Sequence, residues 1–299
     1  MTDFSKTLIR CSAISRIMSQ GKNRITEKQL LEIEEYQKKE KLTSRQEGLL
    51  ADLIEKRDRR YDLSEGTKTF LEEQYALDVY KKQPDITTKE MAKGILVEPD
   101  SIELLSYIEG RNYEKNHKRV KNSFIQGTPD LYDGPTLLES EEIIDIKSNW
   151  NMKTFLRKIK RPLPVNYYWQ LQGYMALTGA KYGTLAYCLV DAPETYINDQ
   201  KRSLFHKMEC VTDEDPNYLE AAEKLEFSLR FSEINPELRV LRVTIDRNDE
   251  DISAIYDRVV KCREYLSEFE QTHIKFCKEH RRKVYEISKE ESADAAENE

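Results

Sequence analysis

Apolar residues recur along this chain at two spacings, and the spacings predict its elements. Leu30, Leu31, Ile33 and Tyr36, then Leu49, Leu50, Leu53 and Ile54, fall three and four apart, the spacing of one helix face. Thr26-Glu27-Lys28-Gln29 and Thr43-Ser44-Arg45-Gln46-Glu47 carry capping-box features ahead of those runs, so 26–60 reads as an antiparallel helical hairpin. Ser64–Leu71 opens a further helix and Thr87-Thr88-Lys89-Glu90 caps another within 64–93. Pro99–Leu105, Tyr167–Met175, Asn217–Phe231 and Asp249–Arg282 are also helical in spacing; the last places Ile252, Ile255, Tyr256, Val259, Val260 and Cys262 near one stripe. Ser12 reads as an N-cap, with Ile14, Ile17 and Met18 on one face behind it.

Strand patterns lie between these helices. Glu142–Ser148 alternates about an apolar middle, Tyr182–Asp191 is a buried-strand run, and Leu238–Ile245 alternates clearly. Asn122–Gln126 is short and partly apolar and ends in Gly127-Thr128-Pro129-Asp130. Tyr132-Asp133-Gly134-Pro135 is a turn signal. The 122–126 and 142–148 runs are therefore expected to form one hairpin, with Asp130 beside Asp145. Tyr196–Cys210 reads as polar and irregular, and 288–299 as a disordered acidic tail.

Composition narrows the class. Of 299 residues, 38% are hydrophobic, enough for a single domain over 1–287 with the hairpin as an insertion. No apolar run is long enough for a membrane span, and the N-terminus starts no signal peptide. Cys11, Cys188, Cys210, Cys262 and Cys277 are scattered, which fits reduced thiols in a cytoplasmic protein and not an iron–sulfur site. His117, His206, His273 and His280 show no zinc spacing. Net charge is -7, yet from Ile146 to Arg161 there are basic residues only: Lys147, Lys153, Arg157, Lys158, Lys160 and Arg161. Arg111–Lys121 is a second basic cluster. Taken singly these are solvated side chains; the run from 147 to 161 points to phosphates.

The chemistry-bearing stretch is Asp130 with Asp145-Ile146-Lys147. Asp145 and Lys147 share a strand face. Two carboxylates suit Mg²⁺, with Mn²⁺ as a substitute, and the ammonium can offset charge on an attacking hydroxide or a phosphorane-like transition state. Asp145 also lies between Ile144 and Ile146, and a buried carboxylate needs a partner or a metal. A turn residue at Asp130 and an exposed ion pair at 145–147 are the plain alternatives.

With Pro129-Asp130 and Asp145-Ile146-Lys147 as its two halves, the chain resembles the PD-(D/E)XK nuclease superfamily. Gly94 with Glu98 four residues on, and Gln170-x-Gln172 on a helix before a strand, stand in the chain order of that superfamily's lambda exonuclease and YqaJ-like viral recombinase branch. The likeness spans about 88–195. It implies a restriction-endonuclease-like α/β core: a central mixed sheet flanked by helices, here with an N-terminal helical hairpin and a long C-terminal helix. It further implies Asp130, Asp145, Glu98 and the Ile146 carbonyl as metal ligands, with Glu103 a competitor for the place of Glu98. Lys147 would orient and help deprotonate water, and Gln170 would fix Lys147 or the substrate backbone. Ser12, Arg10, Thr128, Gln172, Lys153, Arg157 and Lys158 would meet DNA. The implied role is an exonuclease resecting duplex ends in phage recombination, with a single-strand annealing partner and a ring-shaped homo-oligomer known among relatives. An endonuclease or junction resolvase on the same core, and a non-catalytic DNA-binding protein, are the rival readings.

Overall fold

The computed structural model describes residues 2–20, 25–39, 41–58, 62–82 and 89–296, with side chains up to residue 280 other than those of 89–93 and 95. The helices are α1 (Ile14–Met18), α2 (Glu27–Gln37), α3 (Ser44–Asp58), α4 (Glu65–Tyr80), α5 (Lys89–Glu109), α6 (Met152–Ile159), α7 (Val165–Thr178), α8 (Glu194–Lys207), α9 (Pro216–Phe227) and α10 (Asp249–Ala296). The strands are β1 (Ile9–Arg10), β2 (Val120–Lys121), β3 (Ile125–Gly127), β4 (Leu131–Asp133), β5 (Glu142–Asn149), β6 (Tyr182–Leu189) and β7 (Val240–Asp246). Two compact units result: 1–9, 16–83 and 254–299 form one, and 10–15 with 84–253 form the other.

The first unit is helical. Thr26 and Gln29 close a capping box on α2, each side chain bonding the other's backbone N–H. Thr43 and Gln46 do the same ahead of α3, and Lys56 of α3 reaches back to Gln29. The hairpin expected over 26–60 is present. Ser64 caps α4 through the Thr67 N–H. Along α10, Ile255, Val259 and Cys262 are buried as their spacing predicts, whereas Val260 is exposed. Thr87 and Thr88, read as a helix cap, lie outside the described residues, as do the side chains of the 288–299 tail.

The second unit holds a mixed four-stranded sheet in the order β4-β5-β6-β7. β5 and β6 run parallel at its centre and the outer pairs are antiparallel. β6 is buried along nearly its whole length and β5 through its middle, Ile143–Ile146, as central parallel strands covered on both faces are. On one face Ile144, Ile146, Ala186 and Cys188 pack with Val97, Ile102 and Leu105 of α5. The other face carries Asp145, Lys147, Gly183 and Tyr187, and α7 lies on it, with Leu171 and Met175 against Gly183. This is the α/β arrangement expected from the sequence, a mixed sheet flanked by helices.

Several local expectations are corrected. The hairpin partner of β5 is β4, with Leu131 opposite Ile144; β3 belongs to a separate small sheet of order β1-β3-β2. Tyr132 and Asp133 are strand residues, and the chain turns only from Gly134 onward. Pro99 does not open a helix but lies inside α5, where it has no N–H to give to the preceding turn. Residues 194–207 form a helix, α8, with only Ile197 fully buried. Ser12 is not a cap. It is the middle residue of a 3-10 turn, Cys11–Ala13, whose cap position falls to Arg10 without a side-chain bond.

Candidate active site

The register of β4 on β5 brings Asp130 and Asp145 together. Leu131 pairs with Ile144, so the residue before β4 stands opposite Asp145. Asp130 Oδ2 then accepts the Ile146 N–H at 2.9 Å, extending the ladder by one bond made by a side chain. Behind it, buried Asn116 donates to the Pro129 carbonyl at 2.8 Å, and its own N–H donates to the Asp130 carbonyl at 2.7 Å. Nothing in the spacing of the chain marks Asn116, because it acts on backbone fourteen residues away.

Asp145 is 2% exposed. Its Oδ1 accepts from Gln170 Nε2 at 2.9 Å, and the same amide nitrogen donates to the Tyr174 hydroxyl at 3.0 Å. Both amide hydrogens are thereby used, and Gln170 holds Asp145 rather than Lys147. Asp145 Oδ2 lies 2.5 Å from the Lys147 ammonium, an ion pair. Lys147 also sits over the Tyr167 ring, 5.1 Å from its centroid.

Two acids this close in a dry place cannot both ionise freely. Burial, and then the charge of Asp145, push the Asp130 carboxyl up to about 7, against the opposing pull of Lys147 and the Ile146 N–H; Glu98 adds to the rise. Burial pulls the Lys147 ammonium down, but Asp145, Asp130 and Tyr167 outweigh it and the net shift is upward. Lys147 is thus held as a cation. It is suited to offset negative charge and is a poor base.

Glu98 of α5 is near enough to act on Asp130, but its carboxylate is ion-paired with Lys115. Glu103, its competitor, is exposed and lines a different cavity with Asp100 and Asp191. Among the described residues no group of three or more His, Cys, Asp or Glu side chains is gathered as a ready metal cage. The donors at hand are the Asp130 and Asp145 carboxylates and the Ile146 carbonyl. They are hard oxygens with a shared excess of negative charge, two carboxylates set against the one ammonium of Lys147. That chemistry fits a divalent cation that keeps several waters.

The remaining sequence candidates separate into two groups. Thr128 is half-buried in the link between β3 and β4, and the turn bearing exposed Arg10 and Ser12 packs against β3 and α7. That packing is tight. A Cβ at Gly127 would meet Tyr174 and Cys11 Sγ at 2.7 and 2.8 Å, and one at Gly173 would meet Ile14 Cδ1 at 2.4 Å. Lys153 and Arg157 are exposed and Lys158 is half-buried on α6. Gln172 is a correction: it is fully buried, donates to the Asp246 carbonyl at 2.9 Å and accepts the Asn248 N–H at 3.0 Å. It ties α7 to the end of β7 and has no face toward a phosphate.

The same arrangement of elements occurs in solved structures. A phage related exonuclease from Haemophilus somnus 129PT superposes with a TM-score of 0.58 at 21% identity, over 90% of this chain and 97% of that one. The chain has the fold of that exonuclease. An alkaline exonuclease, LHK-Exo, from Laribacter hongkongensis gives 0.49 at 15% identity, over 94% and 96% of the two chains. No protein-family profile and no curated protein matches the sequence. Among the described residues no helix is long and apolar enough to cross a membrane.

Proposed function

We propose that this protein is a metal-dependent deoxyribonuclease that hydrolyses phosphodiester bonds at DNA ends. The observation that carries the reading is the carboxylate pair itself, Asp145 buried and Asp130 half-buried. Asp145 Oδ2 is ion-paired with the Lys147 ammonium, and burial together with the charge of Asp145 drives Asp130 toward protonation. A structural ion pair needs one carboxylate; here a second, half-buried one shares the single ammonium of Lys147, and a divalent cation would offset that excess charge. The shared fold with a phage related exonuclease supports the same reading, and by that likeness we extend it to end resection in phage recombination.

Each residue has a task set by its geometry. Asp130, Asp145 and the Ile146 carbonyl would hold Mg²⁺ or Mn²⁺, which supplies positive charge to the scissile phosphate and acidifies a water. Gln170 fixes Asp145 through Oδ1 and so aims Oδ2. Asn116 and the Ile146 N–H fix Asp130. Lys147, held as a cation, offsets the charge that develops on the phosphoryl oxygens. The Ile143–Ile146 strand and Tyr174 keep bulk water from the pair.

The test uses end-labelled linear duplex beside covalently closed circular DNA, with Mg²⁺ or EDTA, for wild type and Lys147→Ala. The expected result is loss of the linear substrate alone, dependent on the metal and on Lys147. Cutting of the circle moves the assignment to an endonuclease. Two intact substrates under both Mg²⁺ and Mn²⁺ would sink the catalytic reading.

A further inference from the structure

Beside the carboxylate pair runs a groove of about 570 Å³. Thr154, Arg157, Lys158 and Arg161 form one wall, and Pro164, Asn166 and Tyr167 at the start of α7 form the other. Tyr187 of β6 and Val243 of β7 make the floor. No carboxylate lines it. Arg157, Lys158 and Arg161 take part in none of the ion pairs among the described residues, although acids outnumber bases in the chain, 55 to 48.

The groove is continuous with the site. Lys147 and Tyr187 are direct neighbours on the parallel strands β5 and β6. Lys147 lies over Tyr167, and the Lys158 ammonium lies over Tyr187 at 4.1 Å from the ring centroid. Two cation–ring pairs thus lead from the carboxylates into the groove. Burial and the proximity of Lys147 hold Lys158 below the usual lysine range, so these cations are crowded without a counter-charge. Arg157 and Arg161 extend the row outward by roughly one helical turn. At the far wall, the cap position of α7 is Pro164, which gives no side-chain bond to the first turn.

A row of unpaired cations interleaved with aromatic rings matches a polyanion whose rings are free to stack. A duplex does not meet that requirement. Its bases are already stacked on one another and offer no free face to Tyr167. We propose that the groove between α6 and α7 holds a single DNA strand, continuous with the phosphodiester at Asp130 and Asp145, with phosphates on Arg157, Lys158 and Arg161 and a base on Tyr167. The proposal rests on the nuclease reading for the identity of the strand, and it assigns the site a single-stranded end rather than paired DNA.

The test is fluorescence anisotropy of the full chain in EDTA, so that no cleavage intervenes. The probes are a labelled oligothymidylate and a blunt duplex of equal length, titrated at several salt concentrations. Arg157→Ala/Arg161→Ala should weaken the single strand at least about tenfold and lower its salt slope by about 1.4, the value for two phosphate contacts. Tyr167→Leu should weaken it about fivefold or more with the slope unchanged, as loss of one stacked base does. Duplex affinity should change less than about twofold in both. Lys207→Ala/Lys278→Ala, which removes two exposed charges elsewhere, should leave both probes as in wild type. Equal losses for duplex and single strand, or polyglutamate competing as well as the oligonucleotide, would overturn the proposal. Strand binding that behaves as expected in a protein that cuts nothing with Mg²⁺ would leave the groove standing and remove the nuclease reading.

Discussion

Asp130 makes the metal-free protein sensitive to pH in a calculable direction. Its ordinary value is 3.8 and its value in the fold is about 7. A raised carboxyl binds its proton more tightly folded than unfolded. Between pH 4 and 7 the native state therefore carries the extra proton, and stability falls as pH rises through that window. The difference of about 3 units, at about 1.4 kcal/mol each, amounts to about 4 kcal/mol if Asp145 stays charged throughout. For a chain of this size that corresponds to a fall in Tm of about ten degrees, at roughly 2–4 °C per kcal/mol. Differential scanning fluorimetry from pH 4 to 8 in EDTA reads it directly. Asp130→Asn removes the titrating group, so the comparison of its slope with that of wild type cancels the background from all other acids. The wild-type slope should be the steeper, and Mg²⁺ or Mn²⁺ should recover more of the loss at pH 8 than at pH 6. Equal slopes for wild type and Asp130→Asn would refute the account of the pair as two acids compressed into one charge.

The packing around the site sets two further outcomes. Gly173→Ala places a Cβ 2.4 Å from Ile14 Cδ1 and 3.0 Å from Cys11 Sγ, and should cost about 1–3 kcal/mol in urea unfolding, partly restored by Ile14→Val. Gln172→Leu orphans the Asn248 N–H and should cost about 1–3 kcal/mol, while oligonucleotide affinity in EDTA stays as in wild type; a selective loss of affinity would return Gln172 to the DNA-contacting set.

The core of the site was legible because strand alternation is a period of two. Asp145 between Ile144 and Ile146 fixed the face of the acid and of Lys147 from the sequence alone. Its hairpin partner was not legible in the same way. β4 has three residues, too few to show a period, and Gly134-Pro135 drew the whole of 132–135 into a turn. α8 was missed because one buried residue, Ile197, leaves no apolar stripe. The two glutamines looked alike as a motif, yet residues two apart on a helix point about 200° away from each other. One therefore reaches Asp145 and the other the end of β7. Glu98 could be read as a ligand but not as the partner of Lys115, because that ion pair joins α5 to the irregular segment before β2 and obeys no spacing.

The placement of α6 has a consequence for how such a protein can change. Lys147 and Asp145 ride on a central strand buried on both faces, where almost any substitution disturbs the sheet. Arg157, Lys158 and Arg161 ride on an eight-residue helix and the loop after it, moored by one buried side chain, Phe155. Chemistry and grip are thus carried by separately exchangeable parts. The outer face of α6 can be rewritten, in a laboratory or over generations, to retune which strand is held and how salt affects it, while the reacting groups stay where the sheet has put them.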